Sequence, residues 1–234
     1  MDLAKPYADI GLNTNNLSAM RTFWEQEVGA AFDHVLPIRR GIKQYRYDIG
    51  GTVLKVNNYY ELLTRRAPSG YSELLIAREG AAAETRIQDP DLNAVRLVPK
   101  GLYGITQVGI RVQVRSIAAH RVFFRDALGL EETDSDAFRA GETIILLEES
   151  SNATVDVSAE GIGWRYITFQ VFDVDREHAW IVGKGRREVM KPTTLGDTAR
   201  ISVIRDPDGN LIEISQRASL VGSLASVWRD GGDS

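Results

Sequence analysis

The sequence predicts an α+β fold: two tandem domains of strand-helix-strand modules, with curved mixed or antiparallel sheets and helices on their outer faces. Three observations predict it. A five-residue tag occurs twice, as Asp206-Pro207-Asp208-Gly209-Asn210 and, half a chain length earlier, as Asp89-Pro90-Asp91-Leu92-Asn93. An apolar helical pattern also occurs twice, at Leu17, Met20, Phe23, Trp24 and Val28 and again at Ile117, His120, Phe123, Phe124 and Leu128. Each tag lies between two β-rich segments, the signature of a hairpin closed by a tight turn. Self-similarity at half the chain length indicates a tandem duplication.

The elements follow in order. The first module opens with a strand over 8–14. A helix follows from an N-cap at Asn16 to a stop at Gly29, then further strands that close over 51–57. The second module is eroded. It has a strand over 73–78, little room for a helix in 79–84, and then the first tag hairpin. Pro99 to Gly104 is the expected linker. The third module has a strand over 106–114, alternating at Val108, Ile110, Val112 and Val114. Its helix runs from Ser116 to Gly129, and its closing strand covers 141–148. The fourth has a strand over 166–171, a helix over 175–183 and the second tag hairpin. The reading is therefore four βαβββ-like modules, with domains at 1–99 and 104–217 and a tail at 218–234 that frays from Gly222 onward.

Composition bounds the function. The 234 residues, 43% hydrophobic, suffice for two ordinary cores. No apolar run reaches membrane-spanning length and the first residues lack the shape of a signal peptide, so a cytoplasmic protein with no membrane partner is expected. The absence of cysteine excludes disulfides and thiol chemistry. A net charge of −4 gives no electrostatic case for nucleic acid. The doublets Arg39-Arg40, Arg65-Arg66 and Arg186-Arg187 read as solvated loop charge. The expected partner is a small molecule, and the expected state a monomer or homodimer.

Two segments carry a family resemblance. Gln107-Val108-Gly109-Ile110-Arg111-Val112, followed by a helix holding Phe123-Phe124-Arg125-Asp126-Ala127-Leu128-Gly129-Leu130, resembles the opening of a vicinal oxygen chelate domain. Arg205 to Ile214, around the second tag, is similar to that superfamily's closing motif. The superfamily includes glyoxalase I, the bleomycin- and fosfomycin-resistance proteins, methylmalonyl-CoA epimerase and the extradiol dioxygenases. The resemblance covers nearly the whole chain and is strongest from Gly104 to Arg217. It implies paired modules forming cupped sheets. In metal-bearing members, ligands for a divalent ion project into the cup from the first and last strands of the modules.

The implied ligand set is incomplete here. Gln107 matches the usual His of the third module's first strand, and Leu146 stands where a carboxylate is expected, with Glu148 two residues on as a substitute. Tyr166 matches the His of the fourth module's first strand, and Glu213 matches the closing Glu directly. In the first half the four places hold Asp9, Lys55, Glu73 and Arg96, two of which are cations that would repel a metal and pair with Asp9 and Glu73. None of His34, His120 and His178 falls at a ligand position, which counts against an extradiol iron site.

Each candidate has a second reading. Glu213 is a catalytic or metal-holding cup residue, or a structural salt bridge to Arg200. Gln107 is a metal ligand or substrate contact, or an interior hydrogen bond. Tyr166 is a proton-moving catalyst or a core aromatic. Arg200 binds an anionic substrate group or neutralises Glu213. Trp164, Tyr166 and Phe169 line an organic-ligand pocket or fill the core. Glu148 contacts substrate or belongs to the acidic loop after it. Tyr59 and Tyr60 have the same ambiguity, at a loop. Glu213, Gln107 and Tyr166 are expected to share one cup, with Arg200 nearby. Two functions remain. One is an enzyme that uses Mg, Mn, Ni, Fe or Zn as a Lewis acid for proton transfer, or for lyase, isomerase or dioxygenase-like chemistry, on an oxygenated substrate. The other is a metal-free protein that sequesters a hydrophobic or aromatic molecule.

Overall fold

The structure, a computed structural model, describes residues 1–134 and 136–225. The first module consists of β1 (Asp9–Thr14), α1 (Leu17–Thr22), β2 (Ala31–Arg39), β3 (Ile42–Ile49) and β4 (Thr52–Tyr59). The second has β5 (Tyr71–Arg78), β6 (Thr85–Gln88) and β7 (Ala94–Pro99), with no helix between them. The third has β8 (Val108–Val114), α2 (Ile117–Val122), β9 (Glu131–Asp134), β10 (Ala137–Ala140) and β11 (Thr143–Glu149). The fourth has β12 (Gly163–Gln170), α3 (Val174–Gly183), β13 (Arg187–Leu195), β14 (Ala199–Arg205) and β15 (Leu211–Arg217), followed by the short α4 (Ala218–Val221). Of the tail expected to fray, residues 226–234 lie outside the described residues.

The duplication extends to backbone detail. Both α1 and α2 widen into a π turn, Phe23–Glu27 and Phe123–Ala127, in which the Val28 and Leu128 N–H groups donate to the Phe23 and Phe123 carbonyls. Both end at a glycine of positive φ, Gly29 and Gly129. Ser116 caps α2 by accepting from the Ala119 N–H. Asn16 makes no such bond, and the Thr14 hydroxyl instead accepts from the Asn16 N–H.

The strands form two sheets, in the orders β13-β14-β15-β12-β1-β4-β3-β2 and β6-β7-β5-β8-β11-β10-β9. Module one therefore joins module four through the antiparallel β1/β12 pair, and module two joins module three through β5/β8. Each sheet takes one module from each half of the sequence, so a division at 99–104 does not coincide with the division into sheets. The physical reason is edge pairing. The first strand of every module leaves an open edge that must be covered, and the strand pattern does not say which module covers it.

One face of both sheets and the π turns of the first two helices share a continuous core, which includes Ile10, Leu12, Trp24, Leu74, Ile110, Phe123, Phe124, Ile167 and Ile214. The other face of each sheet curls into a cup. In the second sheet, Leu75, Val98, Ile105, Ala137 and Ile144 cluster there, bringing β7 and β10 together across three intervening strands. The expected linker contributes to that cup. It forms a tight turn at Leu102–Gly104, and Ile105 then folds inward over Gly109, where any Cβ would collide with it. Among the described residues no helix is long and apolar enough to cross a membrane.

Candidate functional site

The cup of the first sheet is polar because its strands alternate. On β4, Leu54 and Val56 face the core while Lys55 and Asn57 face the cup. On β12, Ile167 and Phe169 face the core while Tyr166, Thr168 and Gln170 face the cup. On β15, Ile212 and Ile214 alternate with Glu213, Ser215 and Arg217. Asp9, Gly11 and Asn13 of β1 and Gln44 and Arg46 of β3 complete the lining. Strand register aligns Asp9 with Thr168, Thr168 with Glu213, Gly11 with both Lys55 and Tyr166, and Arg46 with Lys55. Gly11 is needed here because a Cβ would collide with the Tyr166 ring.

Lys55 occupies the centre of this cup. Its ammonium donates to the Thr168 hydroxyl at 2.6 Å and to Glu213 Oε1 at 2.9 Å, and the Thr168 hydroxyl donates to the same Glu213 oxygen at 3.1 Å. The ammonium also lies 5.4 Å from the centroid of the Tyr166 ring. Two strands separate β4 from β15, about 14 Å in a flat sheet at ~4.8 Å per strand. The Lys55–Glu213 contact therefore records how far the sheet curls.

Asp9 is buried and accepts from the Lys5 ammonium (2.6 Å), the Val53 N–H (3.0 Å) and the Gln170 amide (3.0 Å). Burial is the largest single influence on its carboxyl and acts upward, but Lys55 and Lys5 together hold it below the usual carboxylate range. The Tyr166 hydroxyl accepts from the Asn57 amide at 3.2 Å and the Gln44 amide at 3.3 Å. Burial, reinforced by Glu213, pushes its pKa far above that of an ordinary phenol. Arg46 Nη1 donates to Gln44 Oε1 at 2.8 Å.

The polar end of the second cup is a carboxylate clamp. Buried Glu73 accepts twice from Arg96, each at 3.0 Å, and once from Arg111 at 3.2 Å, with Arg86 at 3.4 Å. The bidentate geometry raises the Arg96 pKa.

The candidate residues are thus distributed more widely than expected. Glu213 and Tyr166 do share the first cup. Gln107 does not: it precedes β8 in the second sheet, and its side chain packs against Gly50 in the β3–β4 turn. The expectation of one cup for Glu213 and Gln107 is corrected by the pairing of modules one with four and two with three. Glu148 is exposed on β11 of the second sheet, opposite Gln113. Arg200 lies on the outer face of β14, where it forms a bidentate pair with Asp175 of α3 at 2.7 Å for both bonds. It is therefore not the partner of Glu213; Lys55 is. Trp164 and Tyr166 would share a face of a regular strand. A bulge at Arg165 opposite Gly11/Leu12 puts them on opposite faces, so Trp164 packs in the core against Trp24, with ring centroids 6.1 Å apart. Phe169 is also in the core.

The residues most closely bound to Glu213 were not all legible as candidates. Thr168, two residues beyond Tyr166, is the one in register with Glu213 and Asp9. Arg46 and Arg217 also line this cup, and alternation with Tyr47 and with Ile212 and Ile214 was the only sequence signal for either.

The donor sets do not fit the divalent metal that the resemblance implies. The matched positions fall into two groups, Asp9, Lys55, Tyr166 and Glu213 on the first sheet and Glu73, Arg96, Gln107 and Leu146 on or beside the second, and Thr168 rather than Tyr166 is the residue of β12 in register with Asp9 and Glu213. In each, a basic side chain donates to the carboxylate that would have to turn its lone pairs toward a metal. Hard divalent ions need several inward-facing oxygen or nitrogen donors. Among the described residues no three His, Cys, Asp or Glu side chains come together in this way.

Comparison with known proteins agrees with the fold. No curated protein matches the sequence. The model of the Glyoxalase/Bleomycin resistance protein/Dioxygenase superfamily matches residues 104–214. A solved glyoxalase I from Zea mays superposes with a TM-score of 0.73 at 13% identity, over 92% of this chain and 95% of its own. A mutant of that enzyme superposes with a TM-score of 0.75 at 13% identity, over 96% of each chain. A putative dioxygenase from Bacillus subtilis gives 0.65 at 13% identity, over 93% of this chain and 85% of its own. At such identities the likeness speaks for the fold alone. Residues 104–214 are thus similar to the Glyoxalase/Bleomycin resistance protein/Dioxygenase superfamily, in the half of the chain where the resemblance is strongest.

Proposed function

We propose that this protein binds a small organic molecule in the cup of the first sheet without a metal ion. The observation that carries the reading is the Lys55 ammonium, hydrogen-bonded to both Thr168 and Glu213 at the centre of that cup. It supplies there the positive charge that a divalent ion would supply. A metal-dependent enzyme would have to expel this ammonium from a site where it is 3% exposed and twice hydrogen-bonded. Glu213, Tyr166 and Arg217 are half-buried, so the lining of the cup reaches solvent at these three side chains. Tyr166, Asn57 and Gln44 offer directional hydrogen bonds on one wall. With its pKa raised, Tyr166 serves as a neutral hydrogen-bonding group rather than as a proton shuttle.

Metal analysis of protein purified without chelators tests this directly, together with calorimetric titration by Mg, Mn, Ni, Fe(II) and Zn ions. The expected result is no stoichiometric metal and no saturable uptake. Stoichiometric binding of any of these ions that Glu213→Gln abolishes would overturn the proposal in favour of the metal-assisted enzyme.

A further inference from the structure

We propose that the molecule taken by the first cup is an organic anion, its carboxylate or phosphate group held by Arg46 and Arg217. This rests on the reading of that cup as a metal-free ligand site, and it names the ligand class. Arg46 is 4% exposed, on β3 in register with Lys55. A guanidinium carries five N–H donors and stays charged. Of those five, one is engaged with a side chain, Nη1 on Gln44, and Nε has no partner at all. Arg217, half-buried on β15 two residues beyond Ser215, pairs with Ala199 through its backbone, but its guanidinium has no hydrogen bond or ion pair among the described residues.

Among the described residues, most other enclosed basic groups are satisfied; Arg186, just before β13, also has an unpartnered Nε, but it lies outside the cup with its guanidinium over the Phe123 ring. Arg165 donates to the carbonyls of Gly161, Ala67 and Ile162, Arg96 to Glu73 and Glu84, and Arg200 to Asp175. Within the cup, Lys5 is neutralised by Asp9 and Lys55 by Glu213. Arg46 and Arg217 remain. They oppose each other as like charges, since desolvation and then Arg46 depress the Arg217 pKa, while Glu213, Asp9 and Asp33 act in the opposite sense. Two uncompensated guanidinium groups in one partly enclosed cup are costly until an anion arrives. Carboxylates and phosphates match the planar fork of arginine, and Gln44, Asn57 and Tyr166 stand beside Arg46 to orient the rest of the molecule.

The test uses the full chain and three probes of similar shape: benzoate, phenyl phosphate and uncharged benzamide, titrated calorimetrically at low and high salt. At least one anion should bind, at least tenfold more tightly than benzamide and more weakly at high salt. The preferred anion distinguishes a carboxylate from a phosphate head. Arg46→Met and Arg217→Gln should each weaken anion binding at least tenfold and leave benzamide unchanged. A second readout needs no ligand. Arg46→Met should raise the melting temperature of the anion-free protein, because it removes a buried charge with no counter-charge, whereas loss of a structurally partnered arginine would lower it. Equal binding of benzoate and benzamide, unaffected by Arg46→Met, overturns the proposal and leaves the metal-free cup standing. Failure of all three probes, with a melting temperature that does not rise in Arg46→Met, also overturns it. Binding only in the presence of stoichiometric metal instead overturns the reading on which it rests.

Discussion

Single residues here are governed by partners that lie far away in sequence. His120 is an example. It belongs to the apolar helical pattern, yet surface or partly buried packing was the expectation; it is fully enclosed, with Nδ1 3.0 Å from the Ser116 carbonyl and Nε2 3.2 Å from Asp206 of the second tag. Asp208 lies 3.8 Å from the same nitrogen. Burial is the largest influence on the imidazole and pushes its pKa down, but the two aspartates and the Ser116 carbonyl outweigh it and raise the pKa overall. A folded-state value above the unfolded one, about 6.5, means that the protonated ring stabilises the fold. That contribution is complete below the unfolded value and is lost as pH rises through the folded value. The advantage in melting temperature of the native protein over His120→Gln should therefore shrink as pH rises above about 6.5. A difference that stays constant or grows with pH would show that the ring is buried neutral. Glu213 illustrates the limit of residue-level reading. Its place on the row opposite Ile212 and Ile214 was legible from alternation, and the family resemblance implied that this row faces the cup. Its partner was not, because Lys55 is 158 positions away and meets it only through the curl of the sheet.

At the scale of elements, the two tags prove to be hairpin turns with a second task. In the second, Asp206 accepts from the Asn210 backbone and side chain, and Asn210 Oδ1 accepts from the Gly70 N–H at the approach to β5. In the first, Asp89 accepts in the same way from Asn93, and Asn93 Oδ1 accepts from the Trp164 N–H on β12. Each tag therefore ties its own sheet to the opening strand of a module in the other sheet, β5 of module two or β12 of module four. The damaged copy keeps this latch but carries strain. Leu92 has φ +68°, where its counterpart Gly209 has φ +88°, and its side chain is 64% exposed. Relief of a left-handed leucine is worth about 1–2 kcal/mol, against roughly 0.5–1 kcal/mol for the added freedom of an unfolded glycine. Leu92→Gly should thus stabilise the protein by about 0.5–1 kcal/mol, read as a higher urea midpoint at unchanged slope. A lower midpoint would show that the Leu92 side chain contributes packing that outweighs its backbone strain. The bulge at Arg165 is the opposite case, since nothing in the local sequence announced it and it reverses the side on which Trp164 lies.

For the whole molecule, the interleaving of modules makes the halves interdependent. A chain ending near residue 103 would expose the β1 and β5 edges that β12 and β8 cover, together with half of a shared core. Residues 1–103 and 104–234 expressed separately should each fail to unfold cooperatively, whereas co-expression should restore one cooperative transition. Two independent sigmoidal transitions from the separate pieces would contradict the shared core. The sequence by itself determined the duplication, most of the strand and helix inventory, the hairpin turns and the row of β15 on which Glu213 stands. These depend on periodicity and turn chemistry within about a dozen residues. Only the tertiary structure decided that module one pairs with four and two with three, and so which side chains share a cup. It separated Gln107 from Glu213, sent Arg200 to Asp175 and gave Glu213 to Lys55. The reason is that alternation fixes the face on which a side chain stands, while the choice of neighbouring strand and the curl of the sheet decide what it meets there.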